Sequence, residues 1–177
     1  QTWVFTGVRQ APVPSLLRSF SAPVVLNYDF SDAELLTQLA HDTDSFNRWE
    51  AGQRLALRYA LQAIRSDAPV AADVLPADFI AALRDVLQHP QLDAAYKDLV
   101  LALPSEGYIA EQLDVVDPQR IHAVRESMRL QLATALQADW EWAFDTYGDT
   151  GAYQPDPIST GKRSLSGSAL LMLCLAA

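Results

Sequence analysis

Two patterns of apolar and polar residues divide this chain. From residue 31 onward apolar residues recur at intervals of three and four, in runs separated by short polar stretches; before it, they tend to alternate with polar ones. The first pattern is that of helices with one buried face, the second that of strands with one buried face. Residues 2–8, TWVFTGV, are rich in β-branched and aromatic side chains and predict a strand. Residues 22–30, APVVLNYDF, predict a second, with Val24, Leu26 and Tyr28 on one face. Pro12, Pro14 and Pro23 make the chain between them edge or irregular structure. Two strands do not make an independent domain, so these are expected to complete a sheet whose other strands lie elsewhere.

Local signals place the helices. Ser31 with Glu34 forms a capping box and opens a short helix to about residue 42. Asp44 caps a second, running to about residue 66. Pro76 opens a third that ends near His89 and Pro90, Asp93 caps a fourth stopped by Pro104, and Ser105 starts a short fifth to about residue 114. Asp117 followed by Pro118 is a cap with proline at the first helical position, and one long helix is expected from there to about residue 147. Residues 148–161 are expected to form a loop, with a seventh helix beginning near Thr160. The fold class is therefore mainly α: antiparallel helix pairs in a superhelical, HEAT- or armadillo-like array, preceded by two strands. No repeat of fixed period is visible in the sequence.

The stretch DSFNRWEAGQRLALRYALQAI, residues 44–64, is the densest in chemistry. At about 100° per residue, Phe46, Trp49, Gln53, Ala56, Ala60 and Ile64 form one stripe, widened by Leu57 and Ala63. Glu50, Arg54, Arg58 and Arg65 fall opposite, with Glu50 four residues before Arg54, the favourable order for a helix ion pair. The plain reading is a core stripe, with Trp49 buried, backed by a solvated charged face. The functional alternative is an arginine row that meets an acidic partner or a peptide carboxylate. Gly52 costs about 1 kcal/mol relative to alanine in mid-helix and is expected to admit a close neighbour.

Charge and composition narrow the function classes. Half of the residues are apolar and the net charge is -9, which excludes a basic nucleic-acid surface. The single cysteine, Cys174, allows no internal disulfide and points to a reducing, cytoplasmic setting. Its apolar run predicts a buried small hydrophobe. ALLMLCLAA at the C-terminus is too short to span a bilayer, which takes roughly 20 apolar residues. That run and the start at Gln1 are read as the ends of a piece of a longer protein.

No complete catalytic constellation is visible. His41-Asp42 has the adjacency found in metal phosphohydrolases, but only His89 and His122 remain to complete a site, and a helix-end histidine is the simpler account. Asp42, Asp44 and Asn47 lack the glycine and closing glutamate of a calcium loop. Gly161-Lys162 fails as a phosphate loop because Asp156 and Arg163 stand where glycine and a hydroxyl residue are needed. Trp140 and Phe144 share a helix face and predict packing, with Trp142 pointing elsewhere; an exposed docking surface is the alternative. There is no His-Glu-x-x-His zinc motif and no Gly-x-Ser-x-Gly elbow.

Several long strings do carry a resemblance. TWVFTGV, PVPSLLRSFSAPVVLNYDFSD, DSFNRWEAGQRL and LPSEGYIAEQLDVVDP, in this order, resemble the bacterial aminopeptidase N family of zinc metallopeptidases. The likeness continues more weakly to GKRSLSGSALLMLC and so covers nearly the whole chain. It implies that residues 1–30 are the end of a β-sandwich domain and residues 31–177 the first part of a C-terminal helical domain. It also implies a parent enzyme that removes N-terminal residues from peptides with a zinc ion. No family zinc ligand or catalytic residue falls in this stretch, so no catalytic, cofactor-binding or metal-binding residue is assigned here. The expected partners are the catalytic domain of the same parent chain and its peptide substrate, with no nucleic acid and no membrane. The helical part is expected to help cover the active site and restrict access. A stand-alone helical-repeat module that binds a protein partner is the alternative.

Overall fold

Six of the helices start where a side chain accepts the amides that a first turn leaves unpaired, the last of them capped by Asp156. Ser31 Oγ accepts from the Glu34 amide while the Glu34 carboxylate takes the Ser31 amide, and Asp44, Asp93, Ser105 and Asp117 cap theirs in the same way. In the computed structural model, which describes every residue except Gln1, Thr2, Trp3, Phe5, Gln10, Asp67, Asp149 and Thr150, these caps open real elements. The helices are α1 (Asp32–His41), α2 (Ser45–Arg65), α3 (Ala77–Gln88), α4 (Ala94–Leu101), α5 (Glu106–Ala110), α6 (Pro118–Ala135), α7 (Gln137–Tyr147) and α8 (Pro157–Ala176). A short 3-10 turn, Arg18–Phe20, precedes them.

The core is one apolar cluster drawn from α1 to α8. Leu35 and Leu39 of α1 meet Leu55 and Ala60 of α2, and Phe79, Leu83 and Leu87 of α3 join Val124, Met128 and Leu132 of α6 and Trp140 of α7. The α8 helix packs across α4, α6 and α7. Gly161 permits that approach: a Cβ there would lie 2.8 Å from both Cβ and backbone N of Ala95 on α4. Gly52 serves a looser version of the role foreseen for it, its Cβ position lying 3.4 Å from Leu39 Cδ1. Lys97 of α4 is 2% exposed, its Nζ donating to Tyr147 Oη at 2.9 Å and lying 5.8 Å from the Trp142 ring centre. The aromatic faces of α7 take up that buried cation.

The helical array is as expected, and its details depart from the sequence reading in several places. Among the described residues none lies in a strand. Of the first expected strand, Thr2, Trp3 and Phe5 lie outside the described residues. The second, residues 22–30, is irregular chain, because no neighbouring strand offers it a ladder of hydrogen bonds. Its expected face is not buried: Val24, Leu26 and Tyr28 are 60%, 41% and 38% exposed, though each less than Val25 at 98%.

The expected long helix is two. Leu136, at φ -111° and ψ 21°, breaks it between α6 and α7. Side chains brace the break: Arg84 Nη2 donates to Ala135 O at 3.1 Å, and Trp140 Nε1 adds a second bond, at 3.2 Å, to Leu132 O, which already accepts the Leu136 amide. The last helix starts at Pro157, capped by Asp156, three residues before Thr160. The fifth helix ends at Ala110.

Burial on α2 is rotated from the expected stripe. Arg48, Ala51, Gly52, Leu55 and Tyr59 are buried along with Ala56, Ala60 and Ile64, while Trp49 is half-buried and Phe46 is exposed. The helix is covered by α1, α4, α5 and α6 together, so its buried arc is set by four neighbours. Cys174 is exposed, since the core-facing row of α8 is Gly161, Leu165, Ser166 and Ala169. Phe144 is exposed too, and only Trp140 of its pair is core.

Candidate functional site

Two of the strings that carried the family resemblance, 31 residues apart at Arg18 and Trp49, meet at the elbow between α1 and α2. Residues 14–20 lie across this elbow as a strap. Arg18 Nη1 donates to Asp42 Oδ1 at 2.7 Å and to Ser15 Oγ at 2.9 Å, and its Nη2 donates to Thr43 Oγ1 at 2.7 Å. The Ser19 amide donates to Asp44 Oδ2 at 2.9 Å, while Asp44 Oδ1 caps α2 through the Asn47 amide at 3.0 Å. From behind, Asn47 Nδ2 donates to Ser15 Oγ at 3.1 Å and Leu16 O at 2.9 Å, and Gln38 Nε2 to Pro14 O at 2.7 Å.

The elbow is polar and partly dry. The Asp42 side chain is 2% exposed and that of Arg18 is 44% exposed. Removing Arg18 would leave a buried carboxylate without its countercharge, a loss of about 1–3 kcal/mol once the exposure of Arg18 is allowed for. The amides of Asn47 and Ser19 hold the Asp44 carboxyl below the usual carboxylate range. Tyr96, whose Oη donates to Ser45 O at 2.7 Å, is pushed up to about 12 by burial.

The strap is strained. Leu17, Ser19 and Phe20 have φ of 52°, 54° and 53°. A left-handed conformation costs a residue with a Cβ about 1–2 kcal/mol, so three of them persist only where the surroundings impose them. The turn seats the Phe20 ring 4.7 Å from that of Phe46, which in turn lies 5.6 Å from Trp49.

The arginine row of α2 has its own tasks. Arg54 stands 5.2 Å over the Phe30 ring and donates to Tyr28 O at 3.3 Å, so it turns to the chain before α1. Arg58 pairs with Asp32 and donates to Phe30 O at 2.9 Å, and Arg65 donates to Gln112 O at 3.3 Å. This partly exposed face is a set of tethers for residues 28–32 and for the chain after α5 rather than an open receptor for carboxylates.

The histidines stay apart. His41 is exposed at the end of α1, His89 follows α3, and His122 on α6 bonds Glu106 at 2.8 Å. Among the described residues no three His, Cys, Asp or Glu side chains are grouped to hold a metal. The residues present do not fit a zinc site. None of the described helices is long and apolar enough to cross a membrane. The sequence singled out Asp42, Asp44 and Asn47 only as a failed calcium loop and gave Arg18 no role; a basic residue inside a long matched string was the signal available for Arg18.

Comparison with known proteins bears on all of this. Residues 32–177 match the family described as Domain of unknown function (DUF3458_C) ARM repeats, and residues 1–29 match Domain of unknown function (DUF3458) Ig-like fold. Aminopeptidase N of Escherichia coli K12 is 36% identical over 173 residues, 98% of this chain and 20% of that protein. Aminopeptidase N of Caulobacter vibrioides is 35% identical over 159 residues, 90% of this chain and 18% of that protein. The crystal structure of Legionella pneumophila aminopeptidase A in complex with aspartic acid superposes with a TM-score of 0.78 at 26% identity, over 97% of this chain and 20% of that one. The chain thus spans about one-fifth of the length of these relatives. It belongs to the DUF3458_C ARM-repeat family and is homologous to the corresponding stretch of bacterial aminopeptidases N.

Proposed function

We propose that this chain is a non-catalytic, structural stretch of a zinc-dependent aminopeptidase that removes N-terminal residues from peptides in the cytoplasm. Residues 1–30 serve as the end of a β-sandwich domain, and residues 31–177 as the first part of a helical domain. The helical part helps cover the active site and restrict access to it. The observation that carries the reading is the match of 98% of the chain to one-fifth of an aminopeptidase N. In this reading the zinc ion is held elsewhere in the enzyme, by the catalytic domain that is this segment's partner. What this chain contributes is a braced wall: helices fixed by caps, by Gly161 against Ala95, and by arginines on carbonyls.

The test is direct. The purified chain, given zinc and an aminoacyl chromogenic substrate, is expected to show no zinc-dependent turnover, and turnover would overturn the non-catalytic assignment. A stand-alone helical-repeat binding module is the second reading, favoured by the exposed Phe20, Phe46 and Leu99 beside Trp49. Size-exclusion chromatography with thermal melting separates the two. A monodisperse monomer with a sharp, high melt supports the module; self-association or ready unfolding supports the enzyme segment.

A further inference from the structure

We propose that residues 14–20 are a spring-loaded strap, held shut chiefly by Arg18, whose release frees the N-terminal stretch from the helical array. The proposal stands apart from the enzyme reading, because it rests on the elbow alone. Arg18 sits between left-handed residues, Leu17 on one side and Ser19 and Phe20 on the other. That backbone path is what aims its guanidinium at Asp42 and Thr43. Strain and pin are therefore one feature. Once the guanidinium is gone, the Asp44–Ser19 bond and the Phe20–Phe46 contact do not by themselves offset three left-handed residues, and these return to ordinary φ values.

Asp44 makes the device separable from the fold. Its Oδ1 caps α2 and its Oδ2 holds the Ser19 amide. Asp44→Asn keeps an oxygen for the cap, which asparagine serves well, and sets an NH2 donor against the Ser19 N–H donor. It opens the strap without uncapping the helix. Opening also lifts the Phe20 ring from Phe46, uncovering the aromatic surface that continues to Trp49.

Amide hydrogen exchange on the 177-residue chain tests this. The Ser19, Phe20 and Ser21 amides donate to Asp44 Oδ2, Leu17 O and Arg18 O. In the wild type they are expected to exchange at least about tenfold more slowly than free chain. Arg18→Ala and Asp44→Asn should each abolish that protection while α3 and α6 amides keep theirs, which shows that the fold survives. Adding Ser19→Gly to Arg18→Ala should restore protection severalfold, because glycine sits at φ 54° without help. Unprotected amides in the wild type would overturn the closed strap. Unchanged protection in both single variants would overturn the role of Arg18 and Asp44. Failure of glycine to restore any protection would overturn the spring. If Arg18→Ala does not fold, Asp44→Asn with and without Ser19→Gly decides the matter on the same amides.

Discussion

Arg120→Ala tests how this array is held together. The α2 helix ends at Arg65, and the last four carbonyls of a helix have no partner within it. Arg120, on α6, reaches across to two of them and to the chain just beyond: Nε donates to Ile64 O at 2.7 Å, and Nη2 to Ala63 O at 2.8 Å, to Ala68 O at 2.9 Å and to Ser66 O. Nη2 has two hydrogens for three acceptors, so these bonds are shared and do not add at full strength. A hydrogen bond to a charged group contributes about 1.5–3 kcal/mol net, and a cation at a helix C-terminus about 0.3–1 kcal/mol. Counting two full bonds and discounting for the half-buried setting gives about 2–4 kcal/mol lost on truncation. At this chain length that is a fall in melting temperature of roughly 5–12 °C. Urea unfolding followed by circular dichroism measures it, the midpoint moving with the slope unchanged. Arg120→Lys should recover only the helix-end charge effect, because one ammonium cannot span four carbonyls. A loss under about 0.5 kcal/mol for alanine, or a lysine variant as stable as wild type, would refute the capping account.

Three further outcomes follow from the packing and the titrating groups. Gly161→Ala should destabilise by about 1–3 kcal/mol in the same urea assay, since the new Cβ meets backbone of Ala95 that cannot rotate away. Trp140→Ala should cost about 3–5 kcal/mol as a full core deletion, and half-buried Trp49→Ala clearly less, about 1–2.5 kcal/mol; equal losses would show that Trp49 is core after all. Tyr59 is pushed up to about 12 by burial and then by Asp32, and Tyr96 to about 12 by burial. Their folded values lie above the unfolded value of 10.0, so this contribution to stability is complete below pH 10 and fades between pH 10 and about 12. Ultraviolet titration of the phenolates should show both ionising late, with unfolding in the same window, and early titration of Tyr59 would contradict its burial.

The helix starts were legible because a cap is a local transaction between a side chain and an amide two or three residues on. Ser31, Asp44, Asp93, Ser105 and Asp117 each announce one. Asp156-Pro157 repeats the Asp117-Pro118 signal and could have placed the start of α8 correctly. The break at Leu136 had no such sign: neither glycine nor proline is near, and Arg84 and Trp140 reach the carbonyls of Ala135 and Leu132 only in the folded array. The rotated face of α2 was hidden for a related reason. A wheel assumes one buried side, and α2 has neighbours over a wide arc, so Arg48 and Tyr59 go inside while Phe46 stays out.

By itself, then, the sequence determined the helical class, most of the helix starts, and a family likeness spread over long ordered strings. Those depend on hydrogen bonds and periodicities that close within a turn or two. Tertiary structure alone decided what the charged residues do. Arg18 finds Asp42 24 residues away and Arg120 finds Ile64 56 residues away, and the arginines of α2 find carbonyls of other segments. A carbonyl left free at a bend or a helix end looks the same in sequence as any other. Which cation reaches it is settled only when packing brings the two together.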